Sequence, residues 1–174
     1  MKKYHSFIIA AVVFFSVAVT SFLSSCKQEP DVAFDSKTFF HNKKQWEQLN
    51  IKDYSFEYQI GGLVGLLPCT IVVRDGKIHE LIPKDDRIPP GVLLDNHSGH
   101  YMTIDDIFKE IENTFNNPIY RKENKNTYWY CHEIRVEYDE TYFYPRYVAF
   151  KHSGKNMYIT DTDTSINVTQ FEAK

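Results

Sequence analysis

Two helix-period stretches, each followed by runs of period-two alternation, constrain this chain more than any single motif. Phe39, Phe40, Trp46 and Leu49 fall close to one helical face, with Asp35 or Ser36 able to cap the start and Asn50 able to stop it. Ile51 to Ile60 then alternates, with Tyr54, Phe56, Tyr58 and Ile60 on one side. Cys69 to Arg74 is rich in β-branched residues, Asp75-Gly76 is a two-residue hairpin signal, and Lys77 to Ile82 reads as the returning strand. The second helix starts at Thr103. Asp105 and Asp106 suit the positive end of its dipole, Ile104, Ile107, Phe108, Ile111 and Phe115 trace an apolar stripe, and Asn116-Asn117-Pro118 ends it. Tyr128 to Asp139 alternates again, with Ile134, Val136 and Tyr138 inward and Glu133, Arg135 and Glu137 outward. Arg146 to Lys151 is the next strand. Ser153-Gly154 suits a turn into Met157 to Thr160, and Ile166 to Phe171 reads as a last strand.

The order is therefore α-β-β-β-α-β-β-β. Helices separated by runs of strands point to an α+β domain, with two helices packed on one face of an antiparallel sheet of about five to six strands. The connection from Pro83 to Met102 is rich in Pro, Gly, Asp and Asn, and is long enough to suggest a packed excursion or a functional loop. No internal repeat, heptad run or second domain is visible.

The N-terminus carries a different kind of information. Lys2 and Lys3 precede an uncharged, largely apolar run from Phe7 to Leu23, short for a membrane span and right for the apolar region of a signal peptide. The run ends in Leu23-Ser24-Ser25-Cys26, which resembles the bacterial lipobox. That resemblance implies cleavage after Ser25 and acylation of Cys26, with several acyl chains holding the protein to a membrane where one would not. The alternatives are an uncleaved anchor helix, or an ordinary secretory signal in which Cys26 is incidental. On the lipobox reading residues 1–25 are a signal peptide, 26–35 a lipidated tether discouraged from helix by Pro30, and 36–174 a single α+β domain. Taking 25 residues from 174 leaves 149. Losing Lys2 and Lys3 but no acid moves the formal charge from −3 to −5.

An exported protein meets an oxidising compartment, and Cys69 and Cys131 are the two cysteines left once Cys26 is assigned. A bridge between them would close about 60 residues and stabilise the fold by roughly 4 kcal/mol on the chain-entropy account. Two separate buried thiols are the other reading. Neither cysteine belongs to a C-x-x-C knuckle, so no zinc site is expected.

Little else carries chemistry. With 20 Lys+Arg against 23 Asp+Glu the chain lacks an electrostatic footprint for nucleic acid. His97 and His100, with Asp95, sit in the long loop without a third ligand fixed by spacing. Asp161-Thr162-Asp163-Thr164-Ser165 is similar to the start of a calcium loop, and Glu172 falls in the twelfth place, but Ile166 stands where that loop needs glycine. There is no G-x-S-x-G elbow, H-E-x-x-H pair or dinucleotide fingerprint. The expectation is a protein without metal, cofactor or catalytic residues. The aromatic content is high, at 16%. Tyr128-Trp129-Tyr130 and Tyr142-Phe143-Tyr144 would serve either as contact residues for a protein or saccharide partner, with Trp129, Tyr142 and Tyr144 foremost, or as sheet formers filling a small core.

From Trp46 to Phe171 the chain resembles an uncharacterised family of small bacterial lipoprotein-like domains, domain of unknown function 6174. Carrying the resemblance are Trp46, Tyr54, Tyr58, Asp75-Gly76, Thr103-Ile104-Asp105 with Ile107-Phe108, Val136-Tyr138-Asp139, Tyr144-Pro145, Asp161, Asp163 and Phe171. Phe143 departs from it, since the family tends to have glycine before Tyr-Pro. The resemblance implies an exported α+β domain and supplies no activity. The functional expectation is a lipid-anchored, non-catalytic binding module of the cell envelope, facing the periplasm or the cell surface. The rival readings are a hydrolase using carboxylates near the 83–102 loop, and an inhibitor of a hydrolase that inserts Asp85 to Ser98.

Overall fold

The computed structural model describes residues 32–62, 66–89, 100–116, 130–153 and 163–174. Helix α1 spans Ser36–Leu49, and strands β1 Tyr54–Gly61, β2 Cys69–Arg74 and β3 Lys77–Pro83 follow it. Helix α2 spans Ile104–Asn116, and β4 Tyr130–Tyr138, β5 Pro145–Ser153 and β6 Thr164–Ala173 complete the fold. The order matches the one read from the sequence. Met157 to Thr160 lies outside the described residues.

Local chemistry sets the boundaries. The Asp35 carboxylate accepts from the Thr38 N–H at 3.0 Å, and Asn50 closes α1 in the left-handed conformation, its N–H returning to the Glu47 carbonyl. At α2 the cap is reciprocal: Thr103 Oγ1 accepts from the Asp106 N–H at 3.1 Å, and Asp106 accepts from the Thr103 N–H at 3.3 Å. Asp75 and Gly76 both have positive φ, 49° and 72°, as a primed hairpin turn requires.

All strand pairs are antiparallel, and the six strands lie in the order β3-β2-β1-β6-β5-β4. The first and last strands thus meet at the centre. Both helices pack on one face. Trp46 of α1 meets Tyr54 edge-on, the Tyr54 hydroxyl accepts from the Ile104 N–H of α2, and Phe39 packs against Phe108 between the helices. Alternation sends Tyr54, Phe56, Tyr58, Ile71, Val73, Ile134, Val148, Ile166 and Val168 into this layer, where all are buried.

One irregularity builds much of the core. Ser55 pairs with Glu172 but Glu57 pairs with Thr169, so Gln170 and Phe171 together oppose Phe56, and Gln170 takes a φ of 50°. Without this bulge, strict alternation after Ile166 and Val168 would turn Gln170 inward and Phe171 to solvent. With it, Phe171 stacks on Tyr144 at 4.7 Å and packs against Trp46, Tyr54 and Tyr142. Phe143 has a φ of 64°, in the left-handed region where glycine is unstrained and other residues are not.

The fold begins earlier than the expected boundary at Ser36. Val32 is buried in the core, and Ala33 forms a parallel bridge on the outer edge of β4, its N–H donating to the His132 carbonyl and its carbonyl accepting from the Ile134 N–H. Residues 32–35, read from composition as tether, belong to the domain. They also cover part of an otherwise open sheet edge.

Candidate functional site

The face of the sheet away from the helices is lined by side chains that alternation turns outward. One row crosses four strands: Gln59 of β1 lies opposite Asn167 of β6, Asn167 opposite Tyr147 of β5, and Tyr147 opposite Glu137 of β4. Glu57 and Thr169 form the next row, with Thr70 of β2 beyond them. On the other side Gly61, Ser165, Ala149 and Arg135 stand in line. A Cβ at Gly61 would sit 2.6 Å from Ser165 Oγ, so a larger residue there would make the serine hydroxyl turn away.

Two shallow depressions share Asn167 and Thr169 on this face. One, of about 230 Å³, is bounded by Glu57, Gln59 and Lys84. The other, of about 320 Å³, is bounded by Glu137, Arg146 and Tyr147. Gln59, Thr169 and Glu137 are exposed, and Asn167 and Tyr147 half-buried.

The charges around this row are paired within the chain. Lys84 binds Glu57, whose second carboxylate oxygen accepts from Thr169 Oγ1 at 3.3 Å. Arg146 meets Glu137 at 2.9 Å, Arg135 meets Glu133 at 2.6 Å, and Lys151 meets Asp163 at 2.9 Å. Such exposed pairs add little stability. They do leave the centre electrically neutral, with amide and hydroxyl groups that both donate and accept, beside a phenol with an apolar ring.

The residues singled out in the sequence fare differently. Cys26 and Trp129 lie outside the described residues. Tyr142 is half-buried against Phe171, with rings 5.0 Å apart. Tyr144 corrects the expectation of a partner contact: it is 5% exposed, stacked on Phe171 and edge-on to Trp46, and burial pushes its phenol up to about 12. The core-filling alternative describes it.

The disulfide expectation is corrected too. Cys69 and Cys131 are separate buried thiols. They stand on β2 and β4, four strand spacings apart in the sheet, roughly 19 Å, whereas a bridge needs Cα atoms within about 7 Å. Burial pushes their thiols up to about 12 and about 11.

Among the described residues no three His, Cys, Asp or Glu converge to hold a metal. His100 is exposed, and Asp95, His97 and Asp161 lie outside the described residues. Asp163 is taken by Lys151, which holds its carboxyl below the usual range, and by the His152 N–H. In the 83–102 connection, Asp85 accepts a bidentate hydrogen-bond pair from Arg87 that holds its carboxyl low, the opposite of what a general acid needs. Residues 90–99 lie outside the described residues.

Gln59, Tyr147, Asn167 and Thr169 were not singled out by sequence reasoning. Their outward register was readable from alternation; their adjacency was not, because it depends on the first strand pairing with the last.

No curated protein and no solved structure matches the chain. The profile of a family of unknown function, DUF6174, matches residues 38–173, which take in all six strands, α2 and all but the first two residues of α1. That span covers most of the sequence, and the chain belongs to the DUF6174 family.

Proposed function

We propose that this protein is a lipid-anchored, non-catalytic binding module of the bacterial cell envelope, and that it captures its partner on the open face of the sheet. The observation that carries this reading is the row Gln59–Asn167–Tyr147–Glu137, set between two shallow depressions and flanked by charges already paired within the chain. A neutral, hydrogen-bonding surface of this kind suits an uncharged polar partner, foremost a saccharide chain. Amides match hydroxyls as donor and acceptor at once, and a tyrosine ring covers the apolar face of a sugar. A protein partner would use the same row through its backbone and polar side chains.

Acylation of Cys26 would hold the module at the membrane. The lipobox-like Leu23-Ser24-Ser25-Cys26 and the preceding apolar run support that part of the reading.

The double variant Tyr147→Ala/Asn167→Ala should lower recovery of the captured partner from envelope fractions by at least about tenfold. Both residues lie on the outer face, so its unfolding free energy should stay within about 1 kcal/mol of the parent. Unchanged capture by a folded double variant contradicts the assignment.

A further inference from the structure

We propose that the outward stripe of α1 is a contact surface for anionic lipid headgroups, so that the domain rests on its helix layer and turns the open sheet face away from the membrane. The proposal rests on the lipid-anchor reading above and adds an orientation and a lipid class to it.

Helix α1 buries Phe39, Asn42 and Trp46. Lys37, His41, Lys44 and Gln48 follow the spacing i, i+4, i+7, i+11 on the opposite side, and all four are exposed. Phe40 flanks this stripe at 47% exposure, the largest among the exposed large apolar side chains. An aromatic ring beside lysines is the pattern of a surface that settles at the headgroup boundary.

The lysines here are also available. Lys43, on the side of the helix toward α2, is bound to Glu112, and Lys84, Lys109 and Lys151 have carboxylate partners as well. None of the ion pairs among the described residues uses Lys37 or Lys44. Lys37 moreover sits in the first turn of α1, where the helix dipole disfavours a cation and where the helix carries no acid of its own. Its charge is felt by the capping Asp35, whose carboxyl it helps the Thr38 hydrogen bonds to hold below the usual range, but no ion pair among the described residues ties its exposed ammonium down, and an anionic surface would offset the dipole.

Covalent geometry brings that surface within reach. Val32 is fixed in the core and Ala33 is bridged to β4, so only six Cα steps separate Cys26 from the folded domain. Fully extended they span about 21 Å. Helix α1 starts four residues after Val32, so an acylated Cys26 confines its N-terminal end to the neighbourhood of the bilayer. Two lysines held at an anionic surface favour that orientation by roughly 30-fold over one in which they face water. Because the helices occupy one face of the sheet, the row at Asn167 then points outward.

The test places a nitroxide on the full chain at His41→Cys, and for comparison at Thr169→Cys on the open sheet face. The chain is reconstituted in vesicles of phosphatidylethanolamine with phosphatidylglycerol, and the mass of its N-terminal peptide reports acylation of Cys26 in the same samples. Cys69 and Cys131 are buried, which directs the label to the introduced thiol. Collision with a water-soluble nickel chelate should be several-fold lower at position 41 than at 169. The difference should collapse in the Lys37→Glu/Lys44→Glu background and in phosphatidylcholine vesicles. Equal collision rates at the two positions with Cys26 acylated overturn the proposal and leave the anchor standing. Absence of acylation overturns the anchor reading and the proposal with it.

Discussion

Trp46→Ala should cost about 3–5 kcal/mol, a large share of the roughly 5–15 kcal/mol that holds a typical domain together. Trp46 is 3% exposed and ties α1 to the sheet's aromatic cluster. Its ring meets Tyr54 of β1 at 5.6 Å, Phe171 of β6 at 5.9 Å and Tyr144 at 6.5 Å, each edge-on, the arrangement that aromatic quadrupoles favour. Its indole N–H donates to Asp105 Oδ1 of α2 at 2.8 Å. Alanine removes the packing, leaves a cavity between helix and sheet, and cuts the polar link between the two helices. Denaturant unfolding followed by far-UV circular dichroism should show the midpoint fall steeply, or no folded baseline at all. Phe40→Ala is the control, because that ring is 47% exposed and meets the core edge-on at Phe39, so its loss should change stability by no more than about 1 kcal/mol. Equal effects of the two substitutions would contradict the core assignment.

Tyr54→Phe removes a single oxygen and should still cost about 1–3 kcal/mol. The Tyr54 hydroxyl accepts from the Ile104 N–H at 3.1 Å, and Ile104 is fully buried, so phenylalanine leaves the first donor of α2 unsatisfied and out of reach of water. The neighbouring Thr103 holds the cap of α2 through Asp106. Shape and apolar area are conserved, so the whole loss is assignable to the cap. Amide exchange in the first turn of α2 should accelerate more than exchange in β1. An unchanged midpoint would mean that the cap is satisfied in another way.

Much of the architecture was legible in the sequence because it is governed locally. The alternation of Tyr54, Phe56, Tyr58 and Ile60 fixes the inner face of β1; Asp75-Gly76 fixes a hairpin; Thr103 and the stripe through Ile104, Ile107, Phe108 and Ile111 fix α2. The departures are non-local. The bulge at Gln170 reverses the side-chain parity of the last strand, and nothing within Ile166 to Phe171 announces it, since the extra residue is defined by pairing with Ser55 and Glu57 on a strand more than a hundred residues away. For Tyr144 residue type leaves contact and core filling both open, and the same bulge decides between them by bringing Phe171 onto its ring. The separation of Cys69 from Cys131 depends on strand order, which period and propensity do not encode. Val32 and Ala33 looked like linker because two residues carry no periodicity; only the edge of β4 gives them a partner.

The candidate site was hidden for the same reason. Outward-facing Gln, Asn and Thr are ordinary on a strand and mean nothing singly. They become a surface when β1 and β6 meet at the centre of the sheet, and when the neighbouring lysines and arginines are taken up by Glu57, Glu133, Glu137 and Asp163. The aromatic excess, which composition leaves open between a contact surface and a core, goes among the described residues largely into the core around Trp46, Tyr54 and Phe171.

The claim that the open sheet face is the working surface is tested most directly by a photoreactive amino acid placed at Asn167 in the full chain and activated in intact cells. The account predicts a discrete crosslinked species from position 167 and from Thr169, to the same partner. It predicts none from His79, on the edge strand β3, or from Gln48, on the helix layer. Crosslinks confined to His79 or Gln48, with position 167 silent, would contradict it.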